Sequence, residues 1–208
     1  MDSNKTRGKL RGAITPQRRH GKARVAAVLE AASAIIAERG YDATTMAEIA
    51  ARAKAPIGSL YRFFPNKEIL AEALIQRFIV LVNQSFDLIE SQAPTDSVET
   101  IADAILDLRI NLQIETKAIV GLLEARSEWS AKRTEFRNMM LQRIGKIVLL
   151  CAPRLSKTES KDIAVILLHN MKTMKALKFG QNVATSSGAA NELRYMNRLY
   201  LRHRIGRK

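Results

Sequence analysis

The chain has 208 residues, enough for one or two domains with a sizeable core, and 47% apolar against 26% charged residues is the composition of a folded globular protein. It contains no run of about 18 apolar residues to span a membrane and no apolar stretch of a secretory leader at its start, so a cytoplasmic location and no membrane partner are expected. The formal net charge of +14 sits almost wholly at the two ends: residues 1–24 carry +7 and residues 194–208 carry +6, leaving about +1 for everything between.

Residues 1–20 hold Gly8, Gly12, Pro16 and many charges without apolar periodicity, which reads as a flexible basic arm able to neutralise phosphates or to act as a solubilising tail. From about Gly21 to Arg39 the apolar residues Val25, Val28, Leu29, Ala32, Ile35 and Ile36 recur on one helical face, and Gly40 ends the helix. These are core residues.

Two short helices follow in TTMAEIAARAKAPIGSLYRFFPNK, residues 44–67. Thr44 or Thr45 caps the first, with Glu48 placed for a capping box with Thr45, and Met46, Ile49 and Ala50 forming its apolar side. It ends near Lys54. Pro56 then suits a helix start, because its missing N–H has no intrahelical use there, and Ile57 to Phe63 forms the second helix. Two short helices and a tight turn suggest a helix-turn-helix, whose second helix lies in the major groove of DNA.

The same residues carry a family resemblance. IGSLYRFFPNKEIL, preceded by ERGYDATTMAEIAARA, resembles the signature of the TetR family of bacterial transcriptional regulators over about Val25 to Ile75. Lys54 and Pro56 depart from it, since the family often has Gly in the turn and Ser or Thr at the start of the recognition helix. The resemblance implies an all-α protein of about nine helices: a three-helix DNA-binding domain over 21–80 and a helical effector-binding and dimerisation domain over 81–208. It implies a palindromic double-stranded DNA operator, a homodimer through helices 8 and 9, and a small-molecule effector. The expected DNA contacts are Thr45, Lys54, Ile57, Gly58, Ser59, Tyr61, Arg62 and Lys67. Ile57 can pack on a thymine methyl, Ser59 can bond either base type, and Gly58 allows close backbone approach. Thr45, Tyr61 and Lys67 would hold phosphates, with Tyr61 as a core residue and Lys67 as a solvated lysine for alternatives.

Asn66 is the expected cap of a long fourth helix with Leu70, Leu74, Phe78, Leu81 and Val82 on its apolar side, and SQAPTDS at residues 91–97 marks a loop. A fifth helix spans about Asp96 to Ile114, a shorter piece Lys117 to Arg126, and a turn around Trp129 leads to a seventh helix that stops at Pro153. The eighth, about Lys157 to Phe179, is apolar nearly all round between Ile163 and Met171, so it needs cover on several sides. The chain breaks near residue 185, and a ninth helix over about Asn191 to Ile205 carries Arg194, Arg198 and Arg202 as one basic stripe, read as a solvated face.

Candidate effector contacts are Arg109, Leu122, Trp129, Phe136, Met140, His169 and Asn170, an aromatic and adaptable set with polar groups to orient a ligand. Each is also an ordinary core residue at helical spacing, and Asn170 equally suits a locally satisfied amide or a dimer-register residue. The lone Cys151 excludes an internal disulfide, and His20, His169 and His203 lack a second ligand at metal spacing, so no metal and no cofactor is expected. No nucleophile or paired-carboxylate motif points to an enzyme. The function expected is a repressor released by a small molecule; the alternative is a DNA-organising protein that needs no ligand and spreads on DNA through its basic ends.

Overall fold

The computed structural model describes residues 19–125, 129–179 and 188–206. Most of the basic arm expected at 1–20, and the chain break near 185, lie outside the described residues. Within them the secondary structure is all helical: α1 (Arg19–Arg39), α2 (Met46–Arg52), α3 (Ile57–Phe63), α4 (Lys67–Gln92), α5 (Val98–Asn111), α6 (Gln113–Ala125), α7 (Ser130–Cys151), α8 (Lys157–Phe179) and α9 (Ala189–Ile205). The chain divides into two compact units, one of residues up to Arg77 together with Lys117–Ala125, the other of Phe78–Thr116 and the chain from Arg126 onward.

In the first unit the local signals set the helix ends. Gly40 at φ +84 donates its N–H to Ile36 O at 2.9 Å and ends α1, a left-handed position where a side chain would be strained. The capping box at α2 is present in both halves: Glu48 N–H donates to Thr45 Oγ1 at 3.2 Å, and Thr45 N–H donates to Glu48 Oε2 at 3.0 Å. At the other end of α2, Ala55 N–H donates to Ala50 O and Lys54 N–H to Ala51 O, the paired bonds of a Schellman turn, with Lys54 at φ 50 in the place glycine usually takes. That choice costs about 1 kcal/mol. Val28, Ala32, Ile35 and Ile36 of α1, Ile49 of α2, Leu60, Phe63 and Phe64 at α3, and Leu70 and Leu74 of α4 make the buried core.

Among the described residues one helix, α4, is long and apolar enough to cross a membrane by length and composition alone. Leu70, Leu74, Phe78, Val82 and Phe86 are buried within the protein while Val80 and Leu88 are exposed, and Glu72, Arg77 and Asp87 interrupt the apolar run. It is a core helix.

The second unit packs α8 against α7, α5 and α9, and α9 against α5. Leu106, Met174 and Leu193 form one buried cluster, and Ile144, Ile147, Ile163, Leu167 and Met171 are fully buried. Leu167 faces the inside of a single subunit, so the side of α8 that carries it is core. The predicted fifth helix reaches only Asn111, because Leu112 leaves helical geometry at φ -105, ψ 39 and α6 restarts at once.

The arginine stripe of α9 is ion-paired along its length, with the Arg194 side chain half-buried and the Arg198 and Arg202 side chains still exposed. Arg194 binds Asp107 at 2.6 Å and Asp103 at 3.1 Å, Arg198 binds Asp103, and Arg202 binds Glu99, so two antiparallel helices match charges one turn at a time. Beneath this ladder Asn170 of α8 donates to Asn197 Oδ1 at 3.1 Å, and buried Asn197 donates to Ala102 O at 3.5 Å. Burial pushes the Asp103 carboxyl up, but hydrogen bonds from Arg198 and Arg194 outweigh it and hold the group below its usual range. A carboxyl depressed on folding contributes stability above its unfolded value, near 4, and the contribution is lost as pH falls through the folded value. We therefore expect Arg194→Ala to lower stability by about 1–2 kcal/mol at pH 7, allowing for solvent screening of a half-buried pair. The gap between variant and wild type in urea melts should narrow at pH 3. A gap of equal size at both values would remove the ladder from the account.

Candidate nucleic-acid interface

The second helix of the turn unit is only seven residues long and makes its two faces from few residues. Leu60 and Phe63 anchor it in the core, at 0% and 4% exposure. Ser59 N–H and Leu60 N–H both donate to Pro56 O, at 2.9 and 3.2 Å, which closes its first turn without a side-chain cap. The opposite side is open: Ile57 is 44% and Tyr61 49% exposed, and Gly58 and Arg62 are also exposed. Two large apolar side chains on a helix so well anchored are held where a partner can meet them. Tyr61 is thus not core. Arg62 lies over the Phe63 ring at 4.9 Å.

Ser59 is half-buried, and its hydroxyl accepts a hydrogen bond from Arg24 Nη1 at 3.1 Å. Arg24 belongs to α1 and escaped the sequence reading, because nothing in the spacing of residues 35 apart tells that they meet. Lys54 is exposed at the end of the turn. Thr45 is exposed, but its hydroxyl donates to Glu48 Oε2 at 2.9 Å and accepts the Glu48 N–H, while Glu48 also takes Arg39 at 2.9 Å. Hydrogen bonds from Thr45, together with the Arg39 charge, hold the Glu48 carboxyl below its ordinary range. Thr45 in this geometry organises a helix start.

Lys67 differs most from the sequence expectation of a phosphate contact. Its ammonium donates to Tyr41 O at 3.1 Å, Asp42 O at 3.3 Å and Thr44 O at 3.0 Å, and lies 4.4 Å from the Tyr41 ring centre. An ammonium has three N–H groups, and here all three have acceptors. Lys67 therefore braces the loop before α2. Asn66 caps α4 as expected, accepting the Ile69 N–H at 2.8 Å.

The arrangement is that of a helix-turn-helix, and residues 28–74 match the family described as bacterial regulatory proteins, tetR family. Over those residues the chain is similar to the tetR family's DNA-binding region. A helix-turn-helix transcriptional repressor of Mycobacterium tuberculosis is 37% identical over 78 residues, a stretch covering 38% of this chain and 40% of the relative. The chain thus matches less than half the length of that relative. Among solved structures, a transcriptional regulator of Aquifex aeolicus superposes with TM-score 0.67 at 18% identity, over 86% of this chain and 98% of that one. A tetR-family regulator of Mesorhizobium loti gives 0.65 at 19%, over 89% and 98%. These two share the tetR fold over nearly the whole chain.

The residues expected at an effector site are scattered. Leu122 is buried in the part of α6 that belongs to the first unit, while the other six belong to the second. Met140 and Trp129 are buried, and Phe136 packs on Phe78 with ring centres 5.4 Å apart. Arg109 is half-buried on α5. His169 is exposed, with Nδ1 2.8 Å from Val165 O, and Asn170 is bonded to Asn197. A shallow hollow of about 690 Å³ lies against α7, lined by Thr134, Glu135, Asn138, Met139 and Gln142 among others, and includes none of the seven. Cys151 is half-buried, its Sγ 3.7 Å from Ala93 O, beside a smaller hollow of about 210 Å³.

Proposed function

We propose that the protein is a dimeric repressor that binds a palindromic operator and leaves it when a small molecule binds the helical domain. The observation that carries this reading is the open face of α3, with Ile57, Gly58 and Tyr61 exposed on a helix fixed by Leu60 and Phe63. A helix so presented enters the major groove, with Ile57 and Ser59 toward base edges and Tyr61, Lys54 and Arg62 toward the backbone. The first turn of α4 adds N–H groups suited to a phosphate, a role for its backbone now that the Lys67 ammonium is engaged. Residues 1–18 add five Lys or Arg against Asp2, a basic arm for neighbouring phosphates. The work is done in the cytoplasm, where the operator is.

Dimerisation through α8 and α9 is supported by the apolar residues left open on them: Ile166 at 47%, Met196 at 59% and Leu199 at 45% exposure. A two-fold dimer calls for half-sites about one DNA turn apart. For near-complete release the effector must favour the non-matching conformation roughly 10⁴-fold.

Selection from a random duplex pool tests the reading. The expected result is enrichment of a palindrome whose half-site centres are about 10 base pairs apart. Binding without enrichment, with affinity set by salt alone, would favour the DNA-organising alternative.

A further inference from the structure

The contact between α1 and α3 bears on how a base is chosen. Arg24 is exposed, and its one side-chain hydrogen bond among the described residues is the donation from Nη1 to Ser59 Oγ. A serine hydroxyl has one proton to give and two lone pairs to receive with. A guanidinium has only donors, so Ser59 cannot give its proton back to Arg24. Nor is Pro56 O open to it, since that carbonyl already receives Ser59 N–H and Leu60 N–H. The Ser59 proton is left for an acceptor outside the protein.

We infer that Arg24 is a specificity-determining positioning residue: by donating to Ser59 Oγ it fixes that hydroxyl as a hydrogen-bond donor toward DNA. The inference rests on α3 being the recognition helix. In the major groove guanine offers N7 and O6 as acceptors, adenine N7 and thymine O4, whereas cytosine offers only its N4 amine, a donor. A hydroxyl free to rotate would accept from cytosine as readily as it gives to the others. With Arg24 donating, the hydroxyl keeps its proton and one lone pair, and the adjoining guanidinium charge opposes a second donor such as the cytosine amine while favouring an acceptor, so the pair discriminates against cytosine on the strand it faces.

The experiment measures competition of duplexes carrying each base in turn at every operator position, for wild type, Ser59→Ala, Arg24→Ala, Arg24→Lys and the double alanine variant. Wild type should disfavour cytosine about 5- to 10-fold at one position in each half-site, the worth of one net hydrogen bond. Ser59→Ala and Arg24→Ala should each erase that preference at the same position, and the double variant should do no more than either. Arg24→Lys, which still donates to Oγ, should keep it. Thermal midpoints should stay those of the wild type, since the bond is exposed. The inference is overturned if Arg24→Ala leaves the base profile intact and weakens all sequences alike with a shallower salt slope, which marks a phosphate contact. A change confined to another position, marking a direct base contact by Arg24, also overturns it. If wild type shows no base preference anywhere, the reading of α3 itself fails; a preference that survives Arg24→Ala removes only the role of Arg24.

Discussion

The Gly58→Glu protein is expected to melt at or slightly above the wild-type temperature and to lose operator affinity by more than about 100-fold, the two results together being diagnostic. A side chain at position 58 meets nothing within 4 Å, so the fold has no reason to resist it. Glutamate is a better helix residue than glycine by roughly 0.5–1 kcal/mol, and an acid near a helix start is favourable. The loss comes only when the open face of α3 approaches a polyanion. Two like charges 4 Å apart repel by about 4 kcal/mol at an effective dielectric of 20, more than the roughly 2.7 kcal/mol that 100-fold requires. Gly58→Gln, of equal size and no charge, separates crowding from repulsion. Thermal melts and gel-shift titrations on one operator suffice, and undiminished binding by Gly58→Glu would turn α3 away from the DNA.

Lys67→Met has the opposite signature. It removes three charge-assisted bonds to carbonyls and a contact with the Tyr41 ring, and leaves Tyr41 O, Asp42 O and Thr44 O without that donor. We expect a loss of about 2–3 kcal/mol in stability, or roughly 4–12 °C in melting temperature. Arginine should not restore it, because a planar fork cannot aim three N–H groups at converging carbonyls as an ammonium does. Whatever DNA binding the variant keeps should have the wild-type salt slope. A slope reduced by about 0.9 per half-site, with stability unchanged, would return Lys67 to the phosphate role that the sequence suggests.

Those two residues show where legibility ends. Gly58 was expected to face DNA, and the structure leaves it exposed on α3, a placement that follows from helix periodicity and a proline start, both local properties. The Thr45–Glu48 box, the Gly40 stop and the Asn66 cap were legible too, each settled by atoms within about four residues of one another. Lys67 sits one residue beyond that cap, but its partners lie 23 to 26 residues away. No spacing rule reaches them.

The same division runs through the second unit. Glu99, Asp103 and Asp107 repeat every four residues in α5, as Arg194, Arg198 and Arg202 do in α9, so both halves of the ladder stand in the sequence. That they face each other depends on α5 and α9 running antiparallel in contact, a matter of packing. The apolar run of α8 between Ile163 and Met171 was legible, but which of its residues, such as Leu167, face inward was not in the periodicity. Periodicity finds an apolar side and is silent on whether it meets its own chain or a second copy.

By itself, then, the sequence determined the helices, the caps at Gly40, Thr45 and Asn66, and the turn unit with its family signature, because these follow from backbone hydrogen bonding and side chains a turn or less apart; the end of α5 at Asn111 was not among them. Tertiary structure alone decided which charges are engaged. It drew Lys67 inward onto three carbonyls, tied Arg24 to Ser59, and matched the arginines of α9 to the acids of α5. The physical reason is that a long charged side chain is free to reach in many directions, and only the positions of neighbouring helices determine which acceptor it meets.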